Sequence, residues 1–153
     1  MEGTILAYSN QLSAYKETRI KTASQGQLII MLYDEAVKQL DHGLELLEKD
    51  AAGKKDPGRI EKISKSILKT QEIVTELMAS LNFDLGGEIA QNLFSLYTWF
   101  NKELLGANID QDILRISRVR NMLNDLRSAW SAIIATTSME GIKSPSTGVN
   151  IAG

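Results

Sequence analysis

The feature that most limits what this chain can fold into is a helical apolar repeat that recurs in four successive segments. In the first, Ile29, Leu32, Tyr33, Ala36, Val37, Leu40, Leu44 and Leu47 form one stripe at a period near 3.6. The second stripe is Ile60, Ile63, Ile67, Val74, Leu77 and Leu81, with Thr70 filling the gap. The third is Ile89, Leu93, Leu96, Tyr97, Phe100 and Leu104, and the fourth runs Ile113, Ile116, Val119, Leu123, Leu126, Trp130 and Ile133. No segment shows the alternation of a strand. Rods of ~20–27 residues span roughly 30–40 Å at the helical rise. Similar rods joined by short loops pack best antiparallel, so the expected fold is an all-α, up-down-up-down four-helix bundle.

Punctuation between the stripes supports this reading. Ser24 with Gln27 forms a capping box for the first helix, each satisfying a free amide of the other's turn. Asp56 caps the second, with Pro57 at its first position, where a missing N–H costs nothing. Asn82 and Gly86-Gly87 end it, and both glycines fit a helix-to-helix turn that needs positive φ. Gly106-Ala107-Asn108 ends the third helix, and Asp110 is the expected cap of the fourth.

The two ends differ from the bundle. Residues 138–153 are rich in glycine and serine and contain Pro145, a composition that predicts a disordered tail. In residues 1–23, Ile5, Tyr8, Leu12 and Tyr15 make an apolar stripe of about three turns, too short to be stable alone in water. This segment is expected to cap a groove of the bundle, which itself occupies residues 24–137.

Composition narrows the function classes. The chain has no cysteine, which excludes disulfides and thiolate metal sites and suits a reducing cytoplasm. Its start lacks the basic and apolar regions of a secretory signal, and no apolar run is long enough for membrane insertion. A net charge of -2 argues against a nucleic-acid partner, which requires a concentrated positive field. The single histidine, His42, follows Gln39 by three residues, so the two Glu-x-x-His pairs of a di-iron bundle cannot be built. Gly86-Gly87 follows a helix rather than a strand, and no phosphate-loop pattern is present. The acids Asp34, Glu35, Asp110 and Asp112 read as helix starts or outer faces. No cofactor, metal or catalytic residue is expected.

Aromatic placement points elsewhere. Tyr8, Tyr15, Tyr33, Tyr97, Trp99 and Trp130 are many large amphipathic groups for a small bundle, and Trp99 lies about 200° from Tyr97 on a helix. Leu28-Ile29-Ile30-Met31-Leu32-Tyr33 is apolar in every helical direction, as in a helix covered on more than one side. These features predict a surface that holds another chain.

The same residues carry a family resemblance. Ala14-Tyr15-Lys16, Ile20, Thr22-Ala23-Ser24 and Leu28 through Asp34 resemble the start of the FliS family, flagellin-specific secretion chaperones. Leu81, Asp84, Gly86 through Leu93 and Leu96-Tyr97 are similar to that family's central motif, and Ala107-Asn108 and Leu126 through Trp130 also fit. Gln25 stands where the family usually has proline, and Glu35 where glycine is frequent. Both departures are compatible with helix. The resemblance implies a cytoplasmic protein that binds the flagellin C-terminal segment, keeps subunits monomeric until export, and is associated with the flagellar export gate. The client-binding residues expected on this basis are Tyr8, Leu12, Tyr15, Ile20, Leu28, Ile29, Leu32, Tyr33, Ile89, Leu93, Tyr97 and Trp99. Tyr8, Leu12 and Tyr15 are expected to cover part of the groove until the client arrives. Bundles with exposed apolar edges also form homodimers. The alternative reading is a self-assembling regulatory bundle of the histidine-phosphotransfer kind, with His42 exposed and Lys38 one turn away.

Overall fold

The computed structural model describes residues 25–53 and 56–143, with side chains through residue 136. Four α-helices make up the described chain: α1 Gln25–Ala51, α2 Pro57–Ala79, α3 Phe83–Asp110 and α4 Ile113–Lys143. They pack as a ring in which α1 touches α2 and α4, and α3 closes the ring between them. The bundle is all-α and up-down-up-down, so α1 lies diagonal to α3. The N-terminal capping segment, including Ile5, Tyr8, Leu12, Tyr15, Ile20 and the Ser24 cap, lies outside the described residues. So do residues 144–153 of the tail. Helix α4 continues through Ser138 to Lys143, beyond the point where the glycine-rich composition predicts irregular chain.

Local signals account for most boundaries. Asp56 has extended backbone and its carboxylate accepts the Gly58 amide at 3.0 Å, with Pro57 opening α2. Asn82 caps α3 by accepting the Leu85 amide at 3.0 Å. The α2–α3 break therefore falls at Ser80-Leu81-Asn82, ahead of the two glycines. Gly87 has φ 50° and ψ -121° and kinks α3, while the Gly86 φ is not positive. Gly86 is small for another reason: a Cβ there would lie 2.9 Å from the Ala90 Cβ. Asp110 ends α3 instead of capping α4. Gln111 takes the left-handed conformation that terminates α3, and Asp112 caps α4 by accepting the Arg115 amide at 3.2 Å.

The core sits on the predicted stripes. Tyr33, Ala36, Leu40, Ile63, Ile67, Val74, Phe100, Leu104, Ile116, Val119 and Leu123 have no exposed surface. Thr70 is also fully buried, its hydroxyl donating to the Ser66 carbonyl at 2.9 Å. That bond satisfies a group which would be costly to bury alone. Different chemistry closes each flank. Asp34 and Asp41 of α1 pair with Arg127 and Arg120 of α4 at 2.5 and 2.8 Å. Between α2 and α3 the links are neutral: Ser64 to Asn108 at 3.0 Å, Gln71 to the Asn101 carbonyl at 3.0 Å, and Asn101 to Thr75 at 3.2 Å.

Candidate functional site

Helix α3 carries the surface that is hardest to explain as a solvated exterior. Six of the large apolar residues that remain exposed lie on it: Phe83, Leu85, Ile89, Phe94, Leu105 and Ile109. Helix α1 contributes none. The sequence singled out the start of α1 as greasy in all directions, yet the bundle absorbs that turn. Leu28, Leu32 and Tyr33 are buried, and Ile29, Ile30 and Met31 are half-buried. The helix that is apolar beyond its core face is α3.

The geometry of α3 shows where cover is missing. Ile89 and Ala107 are eighteen residues apart, about five turns, so they project in the same direction. Ala107 is fully buried, whereas Ile89 is 68% exposed. One face of α3 is thus sealed at one end and open at the other. Across from the open end is the end of α4, where Ile133 extends the Val119–Leu126 stripe but is 56% exposed. The fourth stripe is therefore core only as far as Leu126 and Trp130, which are themselves half-buried. Leu93 and Leu96 of α3 are half-buried along the same seam. The α3–α4 contact is the sparsest in the ring. At its closed end Glu103 and Arg115 bridge the two helices at 2.8 Å, and Arg115 holds the Glu103 carboxyl below the usual carboxylate range.

Among the residues expected to bind a client, the structure separates two groups. Leu28, Leu32, Tyr33 and Tyr97 are buried. Tyr33 and Tyr97 meet hydroxyl to hydroxyl, Trp130 also bonds Tyr33, and burial raises both phenol pKa values. Ile29, Leu93 and Trp99 are half-buried and Ile89 is exposed. Trp99 does not stand on the far side of α3. It is about 100° from Phe100, its ring packs 5.8 Å from that ring, and it lies half-buried against the core. Tyr8, Leu12, Tyr15 and Ile20 fall outside the described residues.

Several exposed groups escaped the sequence reading. Phe94, Leu105 and Ile109 fall within about 60° of one another on α3, a second apolar stripe that was legible from spacing. Phe83 folds back on Phe94 with ring centroids 5.9 Å apart. At the opposite end of the bundle, Leu47, Ala51, Pro57, Ile60 and Ile113 line a mostly apolar cavity of about 460 Å³. Among the described residues no cluster of side chains is suited to a metal ion, and no helix is long and apolar enough to cross a membrane.

An apolar seam left open on a helical bundle marks a surface for contact with another molecule. The chain belongs to the FliS family: the family described as "Flagellar protein FliS" matches residues 8–137. It is similar to the flagellar secretion chaperone FliS of Salmonella typhimurium, 35% identical over 124 residues, covering 81% of this chain and 87% of the relative. The flagellar secretion chaperone FliS of Bacillus subtilis is 27% identical over 129 residues, covering 84% and 90%. That of Campylobacter jejuni is 30% identical over 128 residues, covering 84% and 91%.

Proposed function

We propose that this protein is a chaperone of flagellar export that acts in the cytoplasm and holds the C-terminal segment of unassembled flagellin on the α3–α4 seam. The observation that carries the reading is the uncovered face of α3, where Ile89 is open in the same direction in which Ala107 is sealed. Membership of a family whose relatives are named flagellar secretion chaperones supports a client that is exported to the flagellum. A client segment that is unfolded when free orders on binding, and it offsets that entropy by covering a long surface. Ile89, Leu93, Leu96 and Ile133 supply apolar area for it. Covering the segment also keeps it from premature polymerisation, so subunits stay competent for delivery to the export gate.

The test is a calorimetric and fluorescence titration with a peptide of the flagellin C-terminal segment, comparing wild type with Ile89→Asp. Full burial of an isoleucine contributes ~1.5–3 kcal/mol. Since Ile89 is largely exposed, loss of its cover and burial of a carboxylate weaken the peptide by about tenfold or more. The free variant keeps wild-type helicity and urea stability. Equal affinity for the two proteins overturns the seam as the site, and absence of binding to wild type overturns the client.

A further inference from the structure

The groove between α1 and α2, diagonal to the apolar seam, has a charge pattern that flagellin capture on α3 and α4 does not use. Lys38 and His42 of α1 face Lys62, Lys65 and Lys69 of α2 across a cleft of about 330 Å³, with Gln39 and Ser66 between them. None of these lining residues is a carboxylate. Gly43 of α1 lies opposite Ser66, where a Cβ would make an ordinary contact at 3.7 Å with the Ser66 Cβ. The nearby acids of α1 are engaged elsewhere. Asp34 and Asp41 pair with arginines of α4, Glu45 pairs with Lys49, and Glu35 accepts from Gln39 at 3.1 Å. Lys69 lies in the field of Glu72. Among the described residues, Lys38, Lys62 and Lys65 form no salt bridge.

This concentration of positive charge occurs in a chain of net charge -2. Lys62, Lys65 and Lys69 follow one another at three- and four-residue spacing, where like charges work against a helix. An anionic partner removes that penalty. Residues 1–24 hold two acids, Glu2 and Glu17, beside Lys16, Arg19 and Lys21, and residues 137–153 hold Glu140 and Lys143. Residues 1–24 and 137–153 supply no acidic run, and the complement of the cleft's charge is an acidic segment of a partner chain. From Lys62 to Lys69 the helix rises ~10 Å. An extended peptide places alternate side chains ~7 Å apart on one face. Two or three carboxylates at alternate positions therefore match the row of lysines. The field is too short for the backbone track of a single-stranded nucleic acid, which runs over several nucleotides.

We propose that the α1–α2 cleft binds an acidic, extended segment of a partner polypeptide through Lys38, Lys62 and Lys65, with Lys69 and His42 at its margins. Because the cleft and the α3–α4 seam lie on opposite corners of the ring, the bundle can hold this partner and its client together.

The experiment is fluorescence anisotropy on the full chain with a dye-labelled peptide of alternating glutamate and glycine, at several salt concentrations. The expected result is saturable binding that weakens as salt screens the cleft. The triple variant Lys38→Gln/Lys62→Gln/Lys65→Gln binds at least about tenfold more weakly, as loss of several charge-assisted contacts requires. Lys102→Gln on α3 and Ile89→Asp bind as wild type does, and circular dichroism confirms the fold of each variant. The Ile89→Asp arm keeps this result separate from the fate of the flagellin reading. The proposal is overturned if wild type fails to bind, if the triple variant binds equally well, or if an oligothymidylate of equal charge binds the cleft more tightly than the peptide.

Discussion

Tyr33 and Tyr97 bring the two diagonal helices into contact through their hydroxyl groups inside an apolar core. Each is nearly or fully without exposed surface, and Tyr33 also bonds Trp130. The indole can only donate, so Tyr33 accepts from Trp130, while either phenol hydroxyl can donate to the other. This arrangement makes the two phenols unequal. Tyr97→Phe leaves Tyr33 its bond to Trp130, whereas Tyr33→Phe strips both Tyr97 and Trp130 of their partner. Leaving a buried polar group unpaired costs about 1–3 kcal/mol. Urea denaturation should therefore show both variants destabilised and Tyr33→Phe the more so; equal losses would remove Trp130 from the chain of bonds. A second residue-scale device is Gly106, over which the Arg115 guanidinium lies so closely that a Cβ would come within 2.4 Å of its nitrogen. Gly106→Ala pushes Arg115 away from Glu103. The Glu103 carboxyl, held below the ordinary 4.5 by Arg115, should then titrate closer to that value when followed by carboxyl carbon NMR. Its stabilising contribution is complete above the ordinary value and lost as pH falls through the lowered one, so in acid wild type loses the ion pair and the variant becomes the more stable of the two. At neutral pH their melting temperatures should differ little, because alanine gains about 1 kcal/mol over glycine within a helix. A Glu103 midpoint unchanged by the substitution would show that Arg115 is not its cause.

At the scale of the element, α3 departs most from its sequence pattern. The stripes of α1 and α2 named their core residues closely, because each helix has one apolar face and the bundle buries it. The Asp56-Pro57 start was legible for the same local reason, a cap that acts within one turn. Helix α3 is more apolar and less one-sided than α1 or α2. A stripe therefore says which direction Ile89 points but not whether another helix reaches it there. That depends on how far α4 stays close, which is a property of the packing and not of either sequence alone. Gly86-Gly87 was recognisable as a break, but spacing could not decide which glycine carries the positive φ or that the chain resumes helix at once. The Gly87 conformation strongly disfavours any residue with a Cβ. The kink lets the first turn, with Leu85 88% exposed, diverge from the line of the rest of α3. The basic cleft was half legible. Lys62, Lys65 and Lys69 share a face by spacing, while their juxtaposition with Lys38 and His42 required the α1–α2 register.

For the whole molecule, the ring is unevenly held. Helix α1 packs closely against both neighbours and is tied to α4 by two ion pairs, whereas α3 meets α4 sparsely and bridges it at one end. Local opening is easiest where few buried contacts must be broken. Native-state amide exchange should therefore rank the residues 88–96 stretch of α3 as opening at lower free energy than the centre of α1 around Tyr33 to Leu40. If the open seam is the receiving surface, a bound flagellin segment covers it, and protection should rise in residues 88–96 and in the Trp130–Ile133 turn of α4. The Lys38–His42 stretch, on the opposite corner, should be little changed. An acidic peptide in the α1–α2 cleft should produce the reverse pattern of protection. Uniform exchange across all four helices would mean that the bundle opens only as one unit, and the seam would then lack the independent mobility that its sparse packing predicts.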